Sequence, residues 1–219
     1  MNKVIPLSKA MDMVHDKATL MVNGFMAVKS PETLIDSLVR KGIRDLTIIA
    51  NDAAVPGKGI GKLLSAGQIK KMIASHIGLN PEAGVRMNTG TLEVDLVPQG
   101  TLVERIRCGG AGLGGVLTPT GIGTSVEDGK RKIVVNDQDY ILELPLRAEI
   151  ALLKGSVVDT IGNVYYRGTT KNFSLVMAMA CDLVIVEAET LVEVGDLDPD
   201  LVMTPSLFVD YIVREGDAS

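Results

Sequence analysis

The sequence predicts an α/β protein with an open, mostly parallel sheet that is flanked by helices and has an antiparallel extension. Short apolar segments typical of buried strands alternate with helical patterns, and polar or glycine residues follow the strands. The turn Asn136-Asp137 lies between apolar segments 133–135 and 140–142, which predicts an antiparallel hairpin. Because no internal repeat or linker is evident, we expect residues 1–219 to form a single domain.

The first predicted elements form a strand-loop-helix unit after a short helix over residues 8–14, for which Ser8 is the expected N-cap. A buried strand over residues 19–22 is followed by a loop, residues 23–29, and then by a helix. Ser30 is the expected N-cap of that helix, Pro31 its first residue, and Gly42 lies just past its end. The loop therefore lies at the carboxyl end of a strand, where open α/β sheets bind ligands.

Three further strands are predicted over residues 46–50, 69–75 and 92–97, with a turn at Asn80-Pro81 between the last two. Polar residues follow two of these strands, Asn51-Asp52 and Gln99, and we expect the strand ends to face one crevice. The remaining predicted elements are strands over residues 148–153, 183–187 and 208–213 and a helix over residues 174–180.

A glycine-rich stretch follows a short predicted helix over residues 101–107. The sequence predicts that this stretch is irregular, because glycine favours positive φ or a close approach of the backbone to another group. A ligand or partner is one explanation, and a tightly packed loop without a ligand is the other. The glycines concerned are Gly109, Gly110, Gly112, Gly114 and Gly115.

Composition excludes several classes of protein. The net charge of −5 is spread along the chain without a basic stripe, which argues against nucleic-acid binding. Neither a signal peptide nor a membrane span is expected. Cys108 and Cys181 show no metal-binding or redox spacing, so we expect no metal and interpret them as reduced thiols of a cytoplasmic protein.

No residue is a convincing catalyst. His76 follows Ser75 directly, and adjacent strand residues are expected to point to opposite faces, so the two should not form a nucleophile-base pair. The carboxylates at strand ends lack activating neighbours, and that of the short helix is expected to face solvent. These carboxylates are Glu143, Glu149, Glu187 and Glu104.

Two amides and one loop are candidates for ligand binding. Asn51 and Gln99 could orient a carbonyl or carboxylate without titrating, and an equally plausible alternative is that each caps neighbouring backbone. Residues 23–29 precede a helix N-terminus and include Lys29, which makes an anion site plausible although no Walker or GxGxxG pattern is present.

Six segments together resemble the α subunit of the bacterial family I coenzyme A transferases, in particular the acetate/acetoacetate and butyrate/acetoacetate enzymes. The segments are NGFMAVKSP, LTIIAND, IASHIGLNP, PQGTLVERIRCGGAGLGG, TPTGIGT and KNFSLVMAMACD. The resemblance implies a coenzyme A transferase-like fold and coenzyme A exchange between a short-chain acyl-CoA and a carboxylate such as acetate, acetoacetate or butyrate. The implied route is ping-pong through a glutamyl-CoA thioester, with the nucleophilic glutamate in a Ser-Glu-Asn-Gly motif of a separate β subunit. That motif is absent from this sequence.

The resemblance also implies roles for individual residues. Asn51 and Gln99 orient the substrate carboxylate, and the five glycines from Gly109 to Gly115 line the same interface with the partner. The family's coenzyme A signature falls on Asp16 through Pro31, where this sequence departs from it at Lys17, Asn23 and Lys29, and coenzyme A, as a co-substrate, contacts the loop within it. The loop residues are Asn23, Gly24, Phe25, Met26, Ala27, Val28 and Lys29. The expected assembly is α2β2.

Two alternatives from other classes stay open at this stage. One is an enzyme similar to sugar-phosphate isomerases, which would need its own acid and base. The other is a ligand-sensing domain without catalysis, for which a DNA-binding segment would be expected and no basic segment is available.

Overall fold

The computed structural model describes residues 1–217. Its strands are β1 (Thr19–Val22), β2 (Leu46–Ile49), β3 (Ile69–Ala74), β4 (Glu93–Leu96), β5 (Val116–Thr118), β6 (Lys132–Val135), β7 (Gln138–Glu143), β8 (Ala148–Asp159), β9 (Val164–Tyr165), β10 (Cys181–Val192) and β11 (Tyr211–Arg214). Its α-helices are α1 (Leu7–Asp12), α2 (Glu32–Lys41), α3 (Gly61–Ser65), α4 (Pro81–Asn88), α5 (Gln99–Gly110) and α6 (Ser174–Ala180). Short 3-10 turns cover Ser125–Glu127, Gly168–Lys171, Pro199–Leu201 and Ser206–Phe208.

Most strands belong to one eight-stranded sheet in the order β11-β10-β8-β1-β2-β3-β4, with β9 paired to β8. All pairs along this order are parallel, and only the β8–β9 pair is antiparallel. The predicted fold class is therefore confirmed. Among the described residues, no helix is long and apolar enough to cross a membrane.

Two hydrophobic cores cover the two faces of this sheet. Because successive strand residues point to opposite faces, Leu20 and Val22 of β1 pack with α1 to α4, whereas Met21 packs with α5 and α6. The central strands are buried on both faces, as expected for a parallel sheet between helical layers.

Helix α2 shows how sequence produces these layers. Leu34, Ile35 and Leu38 form its buried stripe, and Gly42 ends it in a left-handed conformation (φ 70°) that a residue with a Cβ adopts at a cost. The predicted N-cap is wrong, because the helix begins at Glu32 with Pro31 as N-cap and without a capping side chain. The N-cap of α1 is likewise Pro6 and not Ser8.

Strands β5, β7 and β6 form a separate three-stranded antiparallel sheet. The predicted hairpin is confirmed: β6 and β7 are antiparallel, and Asn136 and Asp137 have φ values of 50° and 59°. Two positive φ angles in a two-residue turn match the right-handed twist of the strands. This small sheet is connected to the large one through α5.

Candidate functional site

The carboxyl ends of β1, β2 and β3 lie side by side, and the residues that follow them begin the candidate site. Asn51 follows β2 closely, and its backbone oxygen accepts hydrogen bonds from the backbone nitrogen (2.8 Å) and from Oγ (2.7 Å) of Ser75. Asn51 is almost completely buried, whereas Gln99, at the start of α5, is exposed. The structure therefore places one buried amide and one exposed amide at this edge of the sheet, where the crevice was predicted.

Three amide side chains from distant parts of the chain form a hydrogen-bonded row at this edge of the sheet. Gln99 Nε2 donates to Asn51 Oδ1 at 2.9 Å, and Asn51 Nδ2 donates to Asn172 Oδ1 at 3.3 Å. Ser75 Oγ also lies 3.1 Å from Asn51 Oδ1. The structure thus brings together Asn51 and Gln99, the predicted orienting residues, and adds Ser75 and Asn172, which we did not select from the sequence.

Asn23, the first residue of the predicted coenzyme A loop, has a fully occupied side chain. Its Nδ2 donates to Ser174 Oγ (2.8 Å) and to the Thr170 oxygen (3.3 Å), and its Oδ1 accepts from the Lys154 nitrogen (2.9 Å). Asn23 is also buried. Its amide therefore anchors the loop to β8 and α6, and the parts of the loop open to a ligand lie further along.

The rest of this loop is a tight turn with unusual backbone angles. Phe25 and Val28 pair across it, and Met26, Ala27 and Lys29 have φ values of 54°, 63° and 58°. Side chains with a Cβ rarely adopt this region, so the loop is strained at three positions. Gly24, with φ 133°, also permits close packing, since a Cβ there would lie 2.5 Å from Ser30 Oγ. Met26 and Val28 are exposed at the tip.

The N-terminus of α2, on which the predicted anion site at residues 23–29 relied, already holds a carboxylate of the protein itself. The carboxylate of Glu187 occupies it, because Glu187 Oε2 accepts from the Leu34 nitrogen at 3.0 Å. Glu187 also pairs with Lys154 at 2.8 Å inside the protein. Lys29 points elsewhere and pairs with Glu189 at 2.8 Å. The backbone nitrogen of Leu34 and the side chain of Lys29 are therefore both already paired within the protein.

Asp52 is a site residue that sequence reasoning placed in the crevice without giving it a role. It is buried, and its two oxygens accept from the backbone nitrogens of Met26 (2.9 Å) and Ala54 (2.7 Å). Both donors have positive φ, 54° and 55°. Asp52 therefore holds two strained loops next to each other.

The expectation for Ser75 and His76 is also wrong. Strand β3 ends at Ala74, so strand alternation does not apply to them, and Ser75 Oγ lies 3.2 Å from His76 Nδ1. The Phe25 ring packs edge-on against the His76 ring, with centroids 6.3 Å apart. Within residues 1–217, no carboxylate is hydrogen-bonded to His76 and Ser75 Oγ is engaged by Asn51, so the pair lacks the orienting group of a catalytic triad.

Each of the other carboxylates considered from the sequence contacts a basic side chain. Burial raises the pKa of Glu187, and its hydrogen bond to Lys154 acts in the opposite direction. The remaining three contact nearby basic side chains: Glu143 with Lys130 (2.6 Å), Glu149 with His15 (3.0 Å) and Glu104 with Arg107 (2.8 Å). The part of the chain that the structure describes therefore offers no unpaired glutamate of this group as a nucleophile.

The glycine-rich stretch is partly helical, which corrects the prediction of an irregular segment. Gly109 and Gly110 end α5, where added Cβ atoms would lie 2.0 Å from the Leu146 oxygen and 2.7 Å from Met179 Cβ. Gly112 and Gly115 have positive φ, and Gly112 and Gly114 face open space. At 1.5 Å per residue, the stretch lies about 16 Å along α5 from Gln99, so the structure does not bring it together with the amide row.

Cys108 and Cys181 are both free thiols. Cys108 is buried, and burial raises the pKa of Cys181 to about 12, which makes that thiol a poor nucleophile. Across residues 1–217, no group of histidine, cysteine, aspartate and glutamate side chains is suited to a metal ion.

These features define a class: an open α/β protein with a row of uncharged amide side chains at the carboxyl edge of its parallel sheet. The coenzyme A transferase family model matches residues 5–215. The chain is 53% identical over 214 residues to the acetoacetyl-CoA:acetate/butyrate CoA transferase alpha subunit of Clostridium acetobutylicum, covering 98% of both chains. It is 49% identical to the acetate CoA-transferase subunit alpha of Escherichia coli K12, covering 96% of both. The chain belongs to the coenzyme A transferase family.

Solved structures agree on the fold. An acyl-CoA transferase from Escherichia coli O157:H7, solved as a thioester complex with CoA, matches all of this chain with a TM-score of 0.84 at 23% identity. The matched region is 48% of that longer chain. Glutaconate coenzyme A-transferase from Acidaminococcus fermentans matches 97% of this chain and 75% of its own, with a TM-score of 0.82 at 18% identity. The predicted family is confirmed, and these relatives do not support the isomerase or ligand-sensing alternatives.

Proposed function

We propose that this chain is the α subunit of a two-subunit CoA-transferase that moves coenzyme A between short-chain acyl-CoA and carboxylates such as acetate, acetoacetate and butyrate. A β subunit supplies the nucleophilic glutamate, and the assembly is α2β2 in the cytoplasm. The names of the two relatives with about half of their residues identical support this proposal, since both are alpha subunits of CoA-transferases of this type.

The observation that carries the proposal is the amide row Gln99–Asn51–Asn172 at the mouth of the crevice. Amides can hold a carboxylate or a thioester carbonyl without exchanging protons with it. The glutamates weighed as nucleophiles are held in ion pairs away from this row. This combination fits a chain that orients the substrate while its partner provides the attacking group.

The proposed reaction has two balanced halves. In the first, a carboxylate oxygen of the partner's glutamate attacks the acyl-CoA carbonyl and expels the CoA thiolate, which forms a mixed anhydride. The thiolate then attacks the glutamyl carbon of the anhydride, which releases the first carboxylate and leaves a glutamyl-CoA thioester. The second half reverses these steps with the incoming carboxylate. The role of this chain is to hold the reacting carboxylate and to close one wall against water, which would hydrolyse the thioester.

Two further regions have proposed contacts. Residues 23–29 are proposed to contact coenzyme A through the loop tip, since Met26 and Val28 are exposed there while Asn23 is buried. The glycine-rich stretch is proposed to face the β subunit, because Gly112 and Gly114 leave open space beside the exposed Leu113. Gly109 and Gly110 support that segment from within α5.

The test is acyl-CoA exchange between acetate and acetoacetyl-CoA or butyryl-CoA, measured for the purified chain alone and for its co-purified complex. We expect exchange by the complex and none by the chain alone. A hydroxylamine-sensitive thioester should form on the partner after incubation with acyl-CoA. Exchange by the chain alone would contradict the proposal, because a carboxylate of this chain would then be the nucleophile.

Gln99→Ala is the direct test of the rim of the amide row. Loss of one hydrogen bond to a charged group should lower turnover by about tenfold or more. Gln99 is exposed, so the free energy of unfolding should change by less than about 0.5 kcal/mol and the complex should remain assembled. Steady-state kinetics and size-exclusion chromatography check both points, with Gln138→Ala on the distant hairpin as the control. An unchanged turnover would remove Gln99 from the site.

A further inference from the structure

Asn172 lies between the 3-10 turn Gly168–Lys171 and helix α6, and it reaches the amide row from a part of the sequence far from Asn51. Its Oδ1 accepts from the Phe173 backbone nitrogen at 2.5 Å and from Asn51 Nδ2 at 3.3 Å. The residue is half-buried. Asn172 is therefore fixed in place through its oxygen alone.

One backbone N–H fixes the direction of the whole amide row. Since the Phe173 N–H can only donate, the atom of Asn172 facing it is the oxygen, and the atom of Asn51 facing that oxygen is the nitrogen. Asn51 Oδ1 is then left to accept from Gln99 Nε2, while the hydroxyl of Ser75, 3.1 Å from Oδ1, donates to the Asn51 backbone oxygen at 2.7 Å. No side chain in the row can flip without losing a hydrogen bond.

With the amides oriented in this way, N–H donors of the row remain without a partner inside it. Among residues 1–217, Asn172 Nδ2 has no hydrogen-bond partner and is not a buried atom, so it is accessible to solvent. Gln99 Nε2 carries two hydrogens, and the bond to Asn51 uses one of them, so the second remains a donor. A carboxylate accepts at two oxygens and is suited to two such donors.

We propose that Asn172 is a third substrate-orienting residue, whose Nδ2 donates to the carboxylate that gives or receives coenzyme A. This inference rests on the proposed function and assigns its specificity for a carboxylate to a residue outside the predicted site. Asn51 takes the role of the buried connector that keeps the donors of Gln99 and Asn172 in register.

Asn172→Asp separates the substrate contact from a purely structural role. The variant keeps an acceptor for Phe173 and Asn51, but it removes the Nδ2 donor and adds a negative charge beside the substrate carboxylate. We expect kcat/KM for acetate to fall by about tenfold or more in the purified complex. The value of kcat/KM for the acyl-CoA should fall less, because the thioester carbonyl is neutral in the ground state.

The matched control is Gln138→Glu, which makes the same change in charge on an exposed hairpin residue whose oxygen accepts from the Tyr140 hydroxyl. It should leave both kinetic values unchanged. A kcat/KM for acetate equal to that of the wild type in Asn172→Asp would overturn the inference. If that variant does not assemble, Asn172→Ala decides, since it lacks the donor without adding a charge and should also lower kcat/KM for acetate. Absence of exchange by the wild-type complex would instead contradict the proposed function.

Discussion

At the scale of single residues, Asp52 shows how a buried carboxylate stabilises a strained site. Its oxygens bind the nitrogens of Met26 and Ala54, both of which have left-handed backbone. Strain of this kind costs on the order of 1–3 kcal/mol per residue and persists only where other contacts hold it. Asp52 supplies such contacts to the loop after β1 and the loop after β2 together.

Asp52→Asn should therefore weaken both the fold and the loop. The amide nitrogen cannot accept a hydrogen bond, so one of the two backbone donors loses its partner. We expect the free energy of unfolding to fall by about 1–3 kcal/mol. If the loop contacts coenzyme A as proposed, KM for acyl-CoA should rise with a smaller change in kcat. Urea unfolding and steady-state kinetics measure the two effects.

The control for this change is Asp95→Asn, on the exposed carboxyl end of β4. It should change the free energy of unfolding by less than about 0.5 kcal/mol. Equal stability of the wild type and Asp52→Asn would show that the two hydrogen bonds make no net contribution to the free energy of unfolding.

The residue scale also shows where sequence reasoning stopped. Asn51 and Gln99 could be selected because amide residues that follow predicted strands can be recognised from the sequence alone. The role of Asp52 depends on the position of Met26 in a neighbouring loop, and that of Asn172 on packing between segments 121 residues apart. Such contacts follow from the three-dimensional arrangement, and no local pattern marks them.

At the scale of elements, helix α5 contains glycines at both ends that serve different purposes. A Cβ at Gly109 would lie 2.0 Å from the Leu146 oxygen, whereas one at Gly100 would meet nothing within 4 Å. The helix therefore runs through Gly109 because another segment packs closely against it. Tertiary packing overrides the low helix propensity of glycine, which is why the sequence prediction ended this helix too early.

Gly109→Ala and Gly100→Ala should consequently have opposite effects on stability. The first overpacks the interface and should destabilise the protein by about 1–3 kcal/mol. The second lowers the entropy of the unfolded chain without a clash and should stabilise it by about 0.5–1 kcal/mol. Chemical denaturation of both variants tests the comparison. Two changes of the same sign would mean that glycine at 109 is not required by packing.

The turn at residues 25–28 is a second element whose strain can be tested. Ala27 has φ 63°, a region that costs an L-residue about 1–2 kcal/mol. Ala27→Gly should remove this conformational cost, although glycine also raises the entropy of the unfolded chain, which offsets part of the gain. The net effect should be a free energy of unfolding that is higher by up to about 1 kcal/mol. Ala66→Gly is the matched control, because Ala66 is exposed with φ −75° and should lose about 0.5–1 kcal/mol. A loss of stability in Ala27→Gly would contradict the strain argument.

The elements that sequence analysis missed share a physical property. Helices α3 and α4 were not predicted, apart from a turn at Asn80-Pro81 where α4 begins, and each helix is short and carries glycine. In α4, Ala83 is the buried residue, so the helical stripe is too narrow to recognise. The strands were easier to predict, because β1 and β2 are apolar on both faces and are bounded by polar residues.

At the scale of the whole molecule, one buried ion pair joins the centre of the sheet to the helical layer and the C-terminal region. Lys154 of β8 pairs with Glu187 of β10 and with Glu215, and Glu187 also accepts from the Leu34 nitrogen of α2. Glu187 has a raised pKa, caused first by burial. Its stabilising contribution is therefore present at low pH and is lost as pH rises through its folded pKa.

The stability contributed by carboxylates nearer the surface depends on pH in the opposite direction. Hydrogen bonds lower the pKa of Glu82 (chiefly from Ser65), Glu127 (chiefly from Lys132) and Glu189 (chiefly from Lys29) below the ordinary value of 4.5. Groups of this kind stabilise the protein above the unfolded pKa, and the contribution disappears as pH falls through the folded pKa. These three groups therefore contribute to a loss of stability in acid, and Glu187 contributes in the opposite direction.

Ser65→Ala tests this balance at one group. The hydroxyl of Ser65 donates to Glu82 Oε2 at 2.7 Å and is the largest cause of the lowered pKa of Glu82. Removing it should move that pKa back toward 4.5, so the variant should lose less stability than the wild type between about pH 6 and pH 3. Urea unfolding at both pH values measures the difference, and NMR titration of the Glu82 carboxyl checks its origin. If the two proteins lose the same stability over this range, the acid sensitivity of the molecule comes from other carboxylates.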